Sequence, residues 1–327
     1  MSVAVHKNIS SLISGELNEL DTFIRVHLKS KTALLDTVIR YILRQRGKRA
    51  RPMLVFLSAG AAGGITHRAT VGAAMLELLH TATLVHDDVV DNSAERRGIA
   101  SINAIWKNKV AVLAGDYLLS QGLLLAMQNN ETGFLHITSN AVRRMSEGEL
   151  LQIQKSRQRT ITEDTYFQII SDKTASLISA CCEIGAVSAS ASPEVQQAFC
   201  DFGELLGRAF QIRDDVLDYT SRSTILGKPV GNDITENKIT LPLIYACNNA
   251  TSSEARAMIK LVKGKNPGKK EVSTVMKFVN LHQGTQQAQA KAHELQAKAV
   301  RLLDILPPSS YKEALVEFSK FAVERPS

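Results

Sequence analysis

Apolar residues recur at steps of three and four along most of this chain. Val71, Met75, Leu78, Ala82, Val85 and Val89 form one such stripe, the spacing of a helix face. Strict strand-type alternation is nowhere convincing. No proline falls between Pro52 and Pro193, and the stretch is rich in Ala, Leu and Met, which favour helix. The punctuation agrees. Gly47 can end one helix, and Pro52 suits the first turn of the next. Ser192 before Pro193 predicts an N-cap with proline at the first helical position, and Thr162 before "EDTYFQII" predicts another start. Loops are expected near 61–64, 220–236 and 264–270. The pattern predicts an all-α fold, a single domain over 1–327 with roughly ten or more helices.

Composition narrows the class. The chain has 327 residues, of which 44% are apolar, enough for a large core. Its formal charge of +7 suits nucleic acid or phosphorylated small molecules as partners. Aromatics are only 5%, which argues against a base-stacking platform and so against nucleic acid. Cys181, Cys182, Cys200 and Cys247 lack metal-type spacing and read as reduced core thiols. No secretory segment opens the chain, and no long uncharged apolar run is expected to span a membrane, so a cytoplasmic protein is expected.

Against this apolar background one acidic pattern occurs twice: "HDDVVD" at 86–91 and "RDDVLD" at 213–218. At 100° per residue, His80, Leu84, Asp87 and Asp91 share one helix face, as do Gly203, Gly207, Gln211, Asp214 and Asp218. Buried charges must be paired or bind metal. A solvated acidic surface is the plainer explanation for one such cluster, but less so for two on apolar helices. Ligands that are all oxygen suit a hard cation, and Mg²⁺ completes its shell with water and substrate phosphates.

Basic residues supply the rest of an anion site. Residues 44–51, "RQRGKRAR", place five cations in eight positions before an apolar helix, where they oppose the helix dipole unless an anion sits there. Arg96 and Arg97 follow Asp91 closely. Lys173, Lys228 and Lys238 make a third set, with Lys228 in the glycine-rich "GKPVGND". The sets imply two anionic substrates, one held through metal and one by cations directly.

With these motifs the chain resembles the trans-isoprenyl diphosphate synthases over nearly its whole length. The resemblance rests on "GKRARP" (47–52), "HTATLVHDDVVDNSAERRG" (80–98), "GDYLL" (115–119), "DKTASL" (172–177), "FQIRDDVLD" (210–218), "GKPVGND" (227–233) and "KITLPL" (238–243). It implies a helix bundle around a central cavity, a homodimer, and condensation of isopentenyl diphosphate with an allylic diphosphate, releasing pyrophosphate. It also implies about three Mg²⁺ ions, held by Asp87, Asp91 and Asp214, with Asp88, Asp215 and Asp218 beside them. Lys48, Arg51, His80 and Arg97 would hold isopentenyl diphosphate. Arg96, Lys173, Thr174, Gln211, Lys228 and Lys238 would surround the allylic diphosphate. Arg46 and Asn237 stand where glycine is common, and Ser101 where threonine is. A class I terpene cyclase would lack the "GKRARP" clamp. A noncatalytic subunit should lose the aspartates. A nucleic-acid-binding protein would leave them unexplained. The catalytic half of a heteromeric synthase remains open, and peripheral membrane contact for product release is compatible.

Product length is the finer expectation. One turn before Asp87 stand the small Ala82 and Thr83, then Leu79, Leu76 and Met75, with no aromatic between Phe56 and the aspartates. Short-chain members of the family commonly block this passage with a bulky aromatic or alter the motif's spacing, and this chain does neither. From Asp87 to Leu76 a helix spans about 16 Å. A floor would come from helices after "GDYLL", with Met127, Leu135 and Thr138 as candidates. A long product of about six to eight isoprene units (C30–C40), of the kind used in quinone side chains, is expected, against a farnesyl- or geranylgeranyl-length alternative.

Overall fold

The computed structural model describes residues 3–44, 47, 49–96, 98–156, 162–220, 231–264 and 267–325. Among these the chain is helical almost throughout. The first half holds α1 (Val3–Leu12), α2 (Ser14–His27), α3 (Ala33–Arg44), α4 (Ala50–Ala62), α5 (His67–Val90), α6 (Ile102–Gln128) and α7 (Thr132–Ser156). Then come α8 (Glu163–Ile170), a π-helical turn (Ser171–Ala175), α9 (Ser176–Ser188), α10 (Pro193–Thr220) and the short α11 (Asn232–Thr235). The chain closes with α12 (Leu241–Asn249), α13 (Ser252–Val262), α14 (Lys269–Leu281), α15 (Gly284–Leu302), a 3₁₀ turn (Leu303–Ile305) and α16 (Ser310–Glu324).

The expected starts are present. Thr162 accepts a hydrogen bond from the Thr165 N–H at 3.2 Å, and Ser192 accepts one from Val195 N–H at 3.4 Å. Two elements escaped the periodicity. A two-residue hairpin, β1 (Glu95–Arg96) and β2 (Ile99–Ala100), pairs antiparallel with Arg96 opposite Ile99, and Gly98 (φ 77°) turns it. The π turn interrupts what reads as one helix from 163 to 188.

Two apolar clusters form the interior, and α10 joins them. Its first half buries Phe199, Phe202 and Leu206 with α4, α5 and α9; its second half buries Ala209, Ile212, Val216 and Tyr219 with α12, α14 and α15. Each large side chain so buried contributes about 1.5–3 kcal/mol. Gly203 and Gly207 explain the closeness of α10 to α9: a Cβ at these positions would lie 2.5 Å from the Cα of Ser179 and of Ala175. The glycines on the aspartate face are therefore packing positions. Cys181 and Cys182 are buried free thiols, as expected; Cys200 and Cys247 are half-buried and free, and burial pushes both up to about 11.

Helix α6 is long and apolar enough to cross a membrane by length and composition alone, and 39% of its most apolar window is buried. Its backbone leaves helical geometry at Lys107 (φ 71°, ψ 164°), and Lys107, Lys109 and Asp116 interrupt the apolar run. Leu113, Leu123, Leu124 and Met127 are exposed along it. Met127, at 62% exposure, lies outside the interior of the single chain.

Candidate active site

The helical angle between neighbouring residues sorts the aspartates. In the first cluster, at the end of α5, Asp87 and Asp91 are exposed, whereas Asp88 is 3% exposed. Asp88 accepts from Arg96 Nε at 2.8 and 2.9 Å, a contact made because the hairpin folds β1 back onto α5. Ser101 pins that loop. Its hydroxyl donates to Ser93 O at 2.6 Å and accepts from the Ala104 N–H at 3.3 Å, so serine performs the capping that a threonine would. Beside the cluster, His86 packs against Gly115 and lies 3.4 Å from Asp116, tying "HDD" to "GDY".

The second cluster, on α10, is sorted likewise. Asp215 is 5% exposed, accepting from Gln211 Nε2 at 2.9 Å and from the Tyr166 hydroxyl at 2.6 Å. Burial, followed by the charge of Asp233, pushes its carboxyl well up. Asp218 accepts the backbone N–H groups of Asn232 and Asp233 at 3.1 and 3.0 Å, which caps α11. Asp214 is half-buried and paired with Arg325 from the end of α16. The Arg325 guanidinium lies 4.1 Å from the Phe210 ring centroid, and its carbonyl accepts from Arg213 at 2.7 Å.

Two hollows meet these clusters. The larger, about 710 Å³, is bounded by Arg51, His80, Asp88, Arg96, Phe210 and Arg325, with apolar walls that include Leu78, Leu84 and Ile24. Arg325, the partner of Asp214, and Phe210 of α10 line the same cavity that Asp88 reaches from α5 and Arg96 from β1. The smaller, about 100 Å³, is bounded by Lys173, Thr174, Gln211, Asp215, Asp233 and Lys238. The two anion sets are thus brought to two separate places. Arg96, expected with the allylic set, stands in the cavity of Arg51 and His80. Lys48, Arg97 and Lys228 lie outside the described residues.

Several members of the site had escaped the sequence reading. Lys173 Nζ lies 2.5 Å from Glu149, and it donates to Gln152 at 3.4 Å. Desolvation, then Glu149 and Asp91, raise the Asp87 carboxyl above its ordinary range. Burial and Asp218 push Asp233 up to about 6. Lys238 pairs with Glu236 at 2.5 Å. Glu149 and Gln152 sit three apart on α7, a spacing that a solvated face would also show; Arg325 had no local signal at all. Asn237 has φ 59°, the left-handed conformation that explains why glycine is common there and that asparagine tolerates.

The donor set fits a hard divalent cation. Asp87, Asp91 and Asp214 offer oxygen only, and the desolvation that raises Asp87, together with the repulsion of Glu149 and Asp91, is a cost that a cation relieves. Among the described residues no three acid, histidine or cysteine side chains are grouped to hold an ion alone. Such a site needs water and phosphate oxygens to complete the shell, as Mg²⁺ sites do.

Comparison with known proteins agrees with this chemistry. The polyprenyl synthetase family matches residues 32–279. The chain belongs to the polyprenyl synthetase family. It is 38% identical over 329 positions to the all-trans-nonaprenyl-diphosphate synthase (geranyl-diphosphate specific) of Rhodobacter capsulatus, covering 99% of both chains. It is 35% identical to the octaprenyl diphosphate synthase of Escherichia coli, covering 98% of both. Its fold matches the polyprenyl synthase of Caulobacter crescentus, solved with calcium and isoprenyl diphosphate, at a TM-score of 0.90 and 32% identity over 98% of both chains. Members of the polyprenyl synthetase family are Mg²⁺-dependent prenyltransferases, and this chain is one by that family match and its nearly full-length similarity to these relatives.

Within that family site, Tyr166 serves the buried carboxyl of Asp215. Tyr166→Phe should lower the unfolding free energy by about 1–3 kcal/mol, because a buried acceptor loses its donor. Urea denaturation followed by circular dichroism measures this; an unchanged midpoint would show that the bond does not form in solution.

Proposed function

We propose that this chain condenses isopentenyl diphosphate with an allylic diphosphate to build an all-trans polyprenyl diphosphate of about C30–C40 for a quinone side chain, on the allowance of about 1.5 Å of tunnel per helical residue. The observation that carries the reading is that Asp215 of the second cluster lines a small hollow with Lys173 and Lys238, while Asp88 of the first lines, with Arg96, a larger cation-rimmed, apolar-walled cavity. Arg51 and His80, with Lys48 and Arg97 by resemblance, hold isopentenyl diphosphate there. Lys173, Thr174, Gln211 and Lys238, with Lys228 and Arg96 by resemblance, hold the allylic diphosphate. Asp87, Asp91 and Asp214 would hold Mg²⁺, in about three ions by analogy with the family, which when bound neutralises charge on the departing pyrophosphate. Lys173 and Lys238 stabilise the same charge as the allylic C–O bond breaks. The side chains hold the two substrates close and oriented, and the apolar walls keep water from the allylic cation. The departing pyrophosphate takes the proton that leaves at the end, since among the described residues no side chain is placed as a dedicated base.

Mutation of the ligand carboxylates tests the chemistry. Asp87→Ala and Asp214→Ala should each cut turnover by about 10³ or more with folding little changed. Near-normal turnover of either variant at ordinary Mg²⁺ would end the metal reading.

Chain length follows from the side of α5 away from the cavity. The cavity runs along Glu77, Thr81, Leu84 and Asp88, which leaves the stripe of Ala82, Leu79, Leu76 and Met75 for the growing chain. In this structure those four are buried, Ala82 at 2% exposure, so a chain entering there must part them, with Thr83 half-buried beside the entrance. Deeper down, the Thr138 hydroxyl lies 3.9 Å from Met75 Sδ, and Phe134 packs beside Gly72. Leu135 is half-buried nearby in sequence. Phe134 therefore stands about 22 Å below Asp87, deeper than Leu76, and a chain of about six to eight units must pass it. The names of the octaprenyl and nonaprenyl relatives support a long product. Ala82→Phe should shift the products to about three or four isoprene units, as read by chromatography of the dephosphorylated products. Release of C15 alone by the unaltered protein would exclude the long-chain reading, and no product from the chain by itself would favour a heteromeric enzyme.

We assign homodimer contact to the exposed apolar face of α6, where Leu113, Leu123 and Leu124 lie. Sedimentation equilibrium should give a two-chain mass that falls to one chain in Leu113→Glu; a one-chain mass for the unaltered protein would remove this assignment.

A further inference from the structure

One charged cluster lies behind the phosphate-facing residues. Arg144 of α7 donates to Asp172 at 2.8 Å and to both oxygens of Glu204, on α10, at 3.1 and 3.2 Å. Arg208 donates to Glu204 at 3.0 Å and to the Ser171 hydroxyl at 2.7 Å. Ser171 in turn donates to Glu204. Two arginines and two carboxylates balance in charge, so the cluster calls for no added ion. Burial opposes ionisation of Glu204, but the bonds from Arg144 and Ser171 hold its carboxyl below the ordinary range.

What the cluster grips is the π turn. Ser171 and Asp172 begin it, and the next two residues, Lys173 and Thr174, line the smaller pocket. A π turn is a poorer arrangement than continuous α-helix, and single π turns occur frequently at functional sites. The turn is also clamped by backbone on both sides. A Cβ on Gly148 of α7 would lie 2.8 Å from Lys173 N, and one on Gly207 of α10 would lie 2.5 Å from Ala175 Cα. Half of the turn is anchored while the other half faces the anion site. Part-buried ion pairs are weak sources of net stability, and their best-attested use is to fix a register.

We propose that Arg144 and Glu204 are positioning residues for the allylic diphosphate, acting by holding the π turn in the register that presents Lys173 and Thr174. The proposal rests on the allylic reading of Lys173, so the test separates the two. Steady-state KM values are measured for the allylic diphosphate and for isopentenyl diphosphate, with melting curves, for Arg144→Met, Arg144→Lys, Glu204→Gln and Lys173→Ala. Arg144→Met and Glu204→Gln should each raise the allylic KM about tenfold and leave the isopentenyl diphosphate KM within about twofold, with Arg144→Lys recovering part of the loss. If the melting temperature falls while the allylic KM stays put, or both KM values rise together, the cluster is a brace and the proposal is overturned. Should Arg144→Met fail to fold, Glu204→Gln, which keeps the side chain's size but sets an amide donor where an acceptor oxygen stood, decides by the same readout. An allylic KM unmoved in Lys173→Ala would overturn the allylic reading itself. A rise there without one in Glu204→Gln would overturn the positioning proposal alone.

Discussion

Six aspartates crowded at the ends of two apolar helices constrain everything around them. Without counter-charge or hydrogen-bond donors their repulsion and desolvation would unfold the ends of α5 and α10. Each answer is a different piece of chain. The hairpin returns Arg96 to Asp88, Tyr166 and Gln211 serve Asp215, the first N–H groups of α11 serve Asp218, and the end of α16 brings Arg325 to Asp214. The loops and termini near the site are shaped by these obligations more than by local propensity.

The same obligations divide the carboxylates by role. Neighbours on a helix differ by 100°, so in each "DD" the second aspartate turns inward and the first stays toward the opening. The inward residues, Asp88 and Asp215, are already held by protein donors and organise the wall. The outward residues, Asp87, Asp91 and Asp214, are the ones proposed above to hold a cation, Asp214 already sharing its charge with Arg325. Arg325 beside Asp214 is a protein cation in the neighbourhood where a metal's charge would act.

Packing carries this arrangement from one cluster to the other. Helix α10 belongs to both apolar clusters, and Gly203 and Gly207 let it approach α9 and the π turn at backbone contact. Any displacement of α10 therefore moves Asp214 relative to Lys173 and Thr174. The polar bonds from Thr174 to Gln211 at 2.9 Å and onward to Asp215 make that coupling specific.

Local pattern alone determined the helical class, the starts after Thr162 and Ser192, and the two aspartate faces. All of these are written within a few turns of one helix, where a 3.6-residue period and a cap are visible. Other features depend on helices meeting in space. The pairing of Asp214 with Arg325 spans 111 residues, and that of Arg144 with Glu204 spans 60. The hairpin and the π turn are one or two hydrogen bonds different from the structures their sequences suggest. Met127 and Leu76 have the same apolar character, yet one is exposed and the other is in the core. Apolar spacing tells that a residue has a face, but only the packing of neighbouring helices decides what that face meets.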